Sequence, residues 1–389
     1  MRIAAFCFAV LFAAMLLIPS IFAMLGRETP SERSADETRV ESTDVPEDRK
    51  GQASISGVND AFDGEQTAAP ETETSMDKAD EALSVQAHQS ADGPSDSSER
   101  RTVDDETLTV MLLSENGEEI CTDMKLSAFL YGALLGEMPS SFEPEALRAC
   151  AVAARSYVLY VKDQEYRRDG HKGADICGDY RHCMAYLSYE DACELWGEVQ
   201  AGAALEKMKE AVDSTAGMVL TYGGQVCNAM FHSMSWKCTE SASNLWTCDM
   251  PYLSSVDTPE TTALKGMASE VRCSVESALQ KLRSVGVNAS SKDLKNAVPV
   301  YNSSGRVDKV RFASGEATGT QIQQLFSLRS TEFSLTYDAD TQEIVFSVLG
   351  FGHGIGMSQY GAELMAQEGE RWQSIVLHYY PGAILELFS

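Results

Sequence analysis

The sequence predicts a fold of the α+β class. Helix and strand signals are mixed from residue 105 onward, and they do not alternate as strand and crossover helix. No tandem period is present, which argues against a repeat protein. Apolar residues make up 44% of the 389 residues, but the N-terminal quarter has no pattern that could build a core. We therefore place the folded domain in residues 105–389.

The chain begins with a long apolar segment. Residues 3–24 carry no charge, and as a helix with a rise of ~1.5 Å per residue they would cross a ~30 Å hydrocarbon layer. We predict residues 1–26 to be an N-terminal transmembrane anchor. A signal peptide cleaved near Ala23 is the alternative, although the run is longer than the ~7–15 residues usual for one.

An acidic segment follows the apolar one. Residues 27–104 hold 20 acidic and 8 basic residues and a single aromatic side chain, Phe62. Such a composition cannot bury enough apolar surface to fold, so we predict a disordered acidic linker; a tail that binds a basic partner is the alternative. The net charge of −27 for the whole chain argues against nucleic-acid binding, which needs clustered Lys and Arg.

Local signals then place the elements in order. Asn116-Gly117 favours a tight hairpin between strands over 106–113 and 118–124. Apolar spacing predicts a helix from Leu126 to Glu137, and Pro144 opens an Ala-rich helix that runs to about Glu165. Further on we expect a helix over 189–213 interrupted at Gly197 and Gly202, a hairpin about Gly223-Gly224, a helix over 270–285, strands over 307–313 and 331–348, and two helices within 357–380.

Glu137 is the strongest catalytic candidate. It is the only carboxylate of its apolar helix and stands beside Pro139 at a corner of the chain. Partial desolvation there would raise its pKa, and a carboxylic acid kept protonated near neutral pH can donate a proton to a leaving group. The alternative is a solvated glutamate in the last turn of the helix.

A glycine-rich segment, GFGHGIGMSQYGAELMAQEG, covers residues 350–369. Its backbone could approach a ligand closely, and His353 and Gln359 supply polar side chains. Neither a dinucleotide fingerprint nor a phosphate-binding loop fits, because the third glycine of the first and the Gly-Lys-Ser/Thr of the second are missing. A bend that only lets two chain segments pass closely is the alternative.

Several separated stretches together resemble the stage II sporulation protein D family of peptidoglycan lytic transglycosylases and related amidase enhancers. These stretches are LLGEMPSSFEPEALRACAVAARSYVLY, FHSMSWKCTESASNLWTCDMPYLSSVDTP, the glycine-rich segment and the final HYYPGA. The resemblance implies a two-lobed domain around a glycan-binding groove. It also implies a single-pass protein of the cell membrane whose domain lies between the mother-cell and forespore membranes, beside a cell-wall amidase and a membrane-spanning sporulation partner.

The resemblance assigns the catalytic role to Glu137, the glutamate of the Glu-Met-Pro motif. One carboxylate suffices because a lytic transglycosylase uses the C6 hydroxyl of its own substrate as the nucleophile, whereas most glycosidases need two. Glu137 would protonate the oxygen between N-acetylmuramic acid and N-acetylglucosamine and then accept the C6 hydroxyl proton. Around the cleft we expect four substrate-binding residues: Arg155, Ser235, His353 and Gln359. For Arg155, an ion pair within the fold is an equal alternative.

His171, Cys177, His182 and Cys183 form a candidate metal site. Two nitrogen and two sulfur ligands suffice for a closed tetrahedral zinc, although the adjacency of the last two residues demands an irregular loop. Some members of the resembled family carry zinc on a comparable insertion. We predict a structural zinc, with a Cys177–Cys183 disulfide as the alternative. A saturated ligand set disfavours zinc-dependent hydrolysis, and a non-catalytic, glycan-binding activator of an amidase is the second functional hypothesis.

Overall fold

The structure is a computed structural model that describes residues 102–113, 117–164, 170–246 and 250–388. Ten helices lie in these residues: α1 (Leu126–Glu137), α2 (Pro144–Lys162), α3 (Tyr189–Trp196), α4 (Glu198–Asp213), α5 (Ala242–Leu245), α6 (Val275–Ser284), α7 (Ser291–Lys295), α8 (Gly319–Phe326), α9 (Gln359–Gln367) and α10 (Trp372–Tyr379). The α+β class is confirmed, because these helices combine with mainly antiparallel sheets.

Fourteen strands lie in the same described ranges: β1 (Thr107–Leu113), β2 (Glu119–Lys125), β3 (Ile176–Cys177), β4 (Met218–Tyr222), β5 (Gln225–Val226), β6 (Phe231–His232), β7 (Ala268–Ser274), β8 (Val298–Tyr301), β9 (Val307–Phe312), β10 (Gly315–Thr318), β11 (Phe333–Asp338), β12 (Glu343–Leu349), β13 (Met357–Ser358) and β14 (Ile384–Leu387). They form small sheets of two or three strands.

The larger lobe is built around α2. Its alanines are buried, which lets α1, α4, α9 and α10 pack close to its backbone. A sheet in the order β2-β1-β3 covers one side and a sheet in the order β14-β4-β5 another, while β6 and β13 pair in parallel. One continuous hydrophobic core joins these elements, with large side chains such as Phe129, Tyr379 and Tyr380 fully buried.

The smaller lobe is an insertion between the turn at Pro251–Leu253 and the glycine-rich segment. Two three-stranded sheets, in the orders β10-β9-β8 and β11-β12-β7, pack with α6, α7 and α8 around a separate core. Phe326, Phe333 and Phe346 form its aromatic centre, with ring centroids 4.6 Å and 5.7 Å from that of Phe346. The domain therefore has two hydrophobic cores.

A buried carboxylate joins the two lobes. Glu240 is fully buried and accepts hydrogen bonds from the Ser241 N–H at 2.8 Å and the Asn244 amide at 2.7 Å, both in the larger lobe. From the smaller lobe, the Asn302 amide and the Ser304 hydroxyl donate to it, each at 2.7 Å. Four donors thus satisfy a charge that would be costly to bury alone.

Most predicted elements are present, with two corrections in the middle of the chain. The helix expected over 270–285 starts only at Val275, because Ser274 caps it and the preceding residues pair with β12 as strand β7. The helix over 189–213 breaks at Gly197, whose φ is +81°, but runs through Gly202. The sequence did not predict four of the strands, β3, β8, β10 and β14, or three of the helices, α5, α7 and α8.

The predicted anchor over residues 1–26 lies outside the described residues, as does nearly all of the linker over 27–104. The end of that linker needs a correction, because residues 103–105 form a helical turn and Asp104 is buried against Arg155. Folded structure therefore starts slightly before residue 105. Within the described ranges, no helix has both the length and the apolar character needed to cross a bilayer.

Candidate active site

Glu137 is the last residue of α1, where the chain turns into an extended conformation at Met138 and reaches Pro139. One carboxylate oxygen accepts a hydrogen bond from the Ala185 N–H at 2.6 Å. The other lies 3.3 Å from the side-chain amide nitrogen of Gln359, which also donates to the Glu137 carbonyl at 3.1 Å. The Glu-Met-Pro corner and the glycine-rich segment, distant in sequence, therefore meet at this carboxylate.

Residues 184–187, which we call the strap, bring Ala185 to Glu137. The strap runs along α1 and is held there by the Leu187 N–H, which donates to the Gly132 carbonyl at 3.0 Å. A Cβ at Gly132 would lie 2.3 Å from the Tyr186 ring, and one at Gly136 would lie 3.1 Å from Ala185. Glycine at these two positions, four residues apart, lets the strap approach the helix closely.

The surroundings of Glu137 favour its protonated form. Burial raises the pKa of the Glu137 carboxyl above its usual range, while the hydrogen bonds from Ala185 and Gln359 oppose that rise. The residue as a whole remains partly exposed. Glu137 is thus a desolvated acid at the edge of the protein surface, with two donors placed to stabilise its carboxylate form.

Gln359 is positioned by a second buried carboxylate. It is the first residue of α9, and Ser358 caps that helix by accepting from the Gly361 N–H at 3.3 Å. The Ser358 hydroxyl donates to Glu260, which also accepts from the Thr258 hydroxyl and, at 3.0 Å, from the Ser235 N–H. Glu260 therefore fixes the start of α9, and with it the amide that faces Glu137.

The four predicted metal ligands come together beside the strap. The ligand atoms of His171, Cys177, His182 and Cys183 all lie within 4.8 Å of one another. The two imidazole nitrogens are 2.8 Å apart, and the sulfur–nitrogen distances between neighbours are 3.2–3.5 Å. A tetrahedral zinc with bonds of ~2.0 Å to nitrogen and ~2.3 Å to sulfur separates its ligands by roughly 3.3–3.8 Å. The two-nitrogen, two-sulfur donor set suits that ion, and the two imidazole nitrogens would have to move apart by about 0.5 Å to hold it.

No disulfide joins the two cysteines of this cluster, Cys177 and Cys183. The structure therefore does not contain the alternative predicted from the sequence, a Cys177–Cys183 disulfide. The neighbouring Cys183 and burial raise the pKa of the Cys177 thiol to about 11. The other six cysteines in the described ranges are free as well: Cys121, Cys150, Cys193, Cys227, Cys238 and Cys273.

Arg155 is not available to a substrate, which corrects its expected role. It is fully buried, and its guanidinium forms a two-bond ion pair with Asp104 at 2.7 and 2.8 Å. The remaining donors go to the Thr215 hydroxyl at 3.4 Å and to the Val212 and Met218 carbonyls at 3.0 and 3.2 Å. Since arginine has five N–H donors, none is left for a sugar. The alternative of an ion pair within the fold is what the structure shows.

Ser235 and His353 also have partners in the protein. Ser235 is fully buried, and its hydroxyl lies 2.6 Å from a ring nitrogen of His232 and accepts from Arg306 at 2.9 Å. His353 has one ring nitrogen 2.9 Å from the Phe231 carbonyl and the other accepting from the Ile355 N–H at 3.1 Å. Burial lowers the pKa of His353 to about 4, so it is neutral at neutral pH. Ser235 therefore orders the loops inside the fold, whereas His353 is partly exposed and has both ring nitrogens engaged by backbone groups.

Comparison with known proteins identifies the family. A family model described as stage II sporulation protein matches residues 114–222. Stage II sporulation protein D of Bacillus subtilis is 33% identical over 261 residues, which cover 67% of this chain and 74% of the relative. The chain belongs to the stage II sporulation protein D family. The homologue of Bacillus amyloliquefaciens matches equally well, and an amidase enhancer of Bacillus subtilis is 25% identical over 66% of this chain and 40% of its own length. This family member is thus a sporulation protein related to an amidase enhancer.

The sequence did not point to every residue that shapes the site of this stage II sporulation protein D relative. The Ala185 N–H was missed because any residue can supply a backbone donor; the pair of glycines on α1 was the one available signal of a close approach. The buried carboxylates of Glu240 and Glu260 were missed because their partners come from other parts of the chain.

Proposed function

We propose that this protein is a peptidoglycan lytic transglycosylase that cleaves the bond between N-acetylmuramic acid and N-acetylglucosamine. The observation that supports this most is the Glu137 carboxyl group, which has a raised pKa and two hydrogen-bond donors, on a residue that is partly exposed. Glu363, one turn beyond Gln359 on α9, is a buried residue, only 7% exposed, and is bonded within the fold. Its two oxygens accept from the Glu143 N–H and the Gln367 amide, each at 2.7 Å.

The reaction needs one group that gives a proton and then takes one. The Glu137 carboxyl donates its proton to the glycosidic oxygen as the bond from that oxygen to the muramic acid C1 breaks. The Ala185 N–H and the Gln359 amide stabilise the carboxylate that results. This carboxylate then accepts the proton of the C6 hydroxyl, while the oxygen of that hydroxyl forms a bond to C1. The products are a 1,6-anhydro sugar and a free N-acetylglucosamine hydroxyl, and no water is consumed.

A zinc ion has a structural role in this proposal. His171, Cys177, His182 and Cys183 would hold it with four protein ligands, which leaves no open position for a substrate. Bound zinc would fix the loop that ends at Cys183. Because the strap begins at the next residue, an ordered loop also keeps the Ala185 N–H in place beside Glu137.

The biological setting follows the family. We propose that residues 1–26 anchor the protein in the cell membrane and that residues 27–104 tether the domain in the space between the mother-cell and forespore membranes. There it would act on peptide-stripped glycan strands during engulfment, beside a cell-wall amidase and a membrane-spanning sporulation partner. Membership of a sporulation family and the likeness to an amidase enhancer support this setting.

The decisive experiment is mass spectrometry of peptide-free glycan digested with the full-length chain. The wild type should release 1,6-anhydro sugars, and Glu137→Gln should release none while keeping its unfolding temperature. Glu206→Gln, which changes an exposed helix glutamate, is the matched control and should remain active. Full activity of Glu137→Gln would remove the proposed mechanism.

The likeness to an amidase enhancer supports a second candidate function, a non-catalytic, glycan-binding activator of a cell-wall amidase. In that case the rate of a partner amidase would rise equally with the wild type and with Glu137→Gln, and neither protein would produce an anhydro sugar.

A further inference from the structure

Arg329 is the basic residue that stands out near the site. It lies in the smaller lobe, with its guanidinium carbon 4.2 Å from the ring centroid of Phe351. One nitrogen donates to the Gly266 carbonyl at 3.2 Å, and the Arg329 carbonyl accepts from the Gly352 N–H at 2.9 Å. The aromatic contact and the two hydrogen bonds hold the side chain against the start of the glycine-rich segment.

Among the residues that the structure describes, this arginine has no carboxylate partner. Four arginines in the described ranges are buried or half-buried: Arg148, Arg155, Arg306 and Arg329. The first three each lie within 4 Å of a carboxylate, whereas no described carboxylate lies that close to Arg329. In a chain with a net charge of −27, a partly desolvated cation without a counter-ion is a ready site for an anion.

Arg329 also lies near Tyr360, a neighbour in sequence of Gln359. Tyr360 directly follows Gln359, and its ring packs edge-to-face on Phe142 with centroids 5.0 Å apart. Burial raises the pKa of the Tyr360 hydroxyl, and the nearby Arg329 charge opposes that rise. The guanidinium therefore lies near Tyr360, the residue that follows Gln359, on the side of the smaller lobe.

We propose that Arg329, held by the exposed ring of Phe351, binds the lactyl carboxylate of a muramic acid residue that has lost its stem peptide. The proposal rests on the proposed function. A stripped strand offers this anion, whereas an attached peptide converts the same group to an uncharged amide. The planar guanidinium matches a carboxylate with two parallel hydrogen bonds. Arg329 is thus the residue by which the site selects peptide-free glycan.

Binding measurements on a catalytically silent background test this subsite. The full-length Glu137→Gln chain is titrated with soluble peptide-free glycan oligomers, and with the same oligomers after conversion of their lactyl carboxylates to methylamides. We expect the carboxylate form to bind about 10- to 100-fold more tightly, because the pair is a charged hydrogen bond in a partly desolvated site. Rising salt should reduce this preference.

Substitutions then assign the preference to the arginine. Arg329→Gln should abolish it, Arg329→Lys should keep part of it, and Arg311→Gln, at an exposed position on β9, should leave it unchanged. If Arg329→Gln does not fold, Phe351→Leu tests the same preference. It replaces an exposed ring that supports the guanidinium, so the preference for the carboxylate oligomer should fall.

The outcomes separate the subsite from the proposed function. Equal binding of both oligomers by the parent chain, or an unchanged preference in Arg329→Gln, overturns the subsite alone. Failure of the parent chain to bind either oligomer, together with no anhydro product from the wild type, overturns the proposed function as well.

Discussion

Replacing Gly132 with alanine would show whether the strap controls the activity of Glu137. The new Cβ would lie 2.3 Å from a ring carbon of Tyr186, whereas carbon–carbon contacts need ~3.5–4.0 Å. The ring, and Ala185 next to it, must therefore move by about 1 Å. This shift would break the 2.6 Å hydrogen bond from the Ala185 N–H to Glu137. Misplacement of a catalytic group by ~1 Å costs about 100-fold in rate, so we expect a loss of that size.

Stability should change much less than activity in this variant. Overpacking costs about 1–3 kcal/mol, and the better helix propensity of alanine returns about 1 kcal/mol. We therefore expect the free energy of unfolding, measured in urea, to fall by no more than about 2 kcal/mol. Gly202→Ala is the matched control, because its Cβ would meet only the Tyr189 hydroxyl at 3.8 Å; it should be fully active.

The assay is the rate of anhydro-sugar release, and a second substitution provides the check on the cause. Tyr186→Ala removes the ring that the new methyl group meets, so the double variant should be more active than Gly132→Ala alone. Two results would refute the reasoning: wild-type activity in Gly132→Ala, or a loss of activity that only follows the loss of folded protein.

Three further substitutions probe single contacts. Arg155→Met leaves its carboxylate partner buried and unpaired, so unfolding in urea should show a loss of about 3–5 kcal/mol, whereas a raised KM for glycan would instead support a substrate role. Glu137 must be protonated to act, so the rate should fall as pH rises through its raised pKa; Gln359→Leu removes a bond to the charged form, raises that pKa further and should move the alkaline limb of the pH–rate profile upward, not downward. Cys183→Ser removes one donor of the cluster, so zinc content and unfolding temperature should both drop, and an unchanged zinc content would count against the site.

The parts of the fold that local signals specify could be predicted from the sequence. The helix from Leu126 to Glu137 has its expected bounds, and Pro144 starts α2 because its missing N–H and fixed φ suit a first helical position. The stretch 268–274 was assigned in part to a helix because short mixed runs satisfy either period. Its strand state depends on β12, which lies about 70 residues further along the chain.

The site could be predicted only in part, for the same reason. The meeting of Glu137 and Gln359 was expected from motifs that occur together in one family, and the four ligands of the His/Cys cluster were visible as residue types within thirteen positions. The type of a side chain does not show which way it points, so Arg155 was predicted to bind substrate. In the structure its guanidinium donates to Asp104 and to two backbone carbonyls. These partners are distant in sequence, so only the tertiary structure identifies them.

The carboxylate of Glu240 links the two lobes, because it accepts hydrogen bonds from both. A hinge motion that pulled Asn302 and Ser304 away would leave this buried charge with only the two donors of the larger lobe, which costs free energy. We therefore expect the two lobes to move little relative to each other, so that a ligand meets them already in their final arrangement.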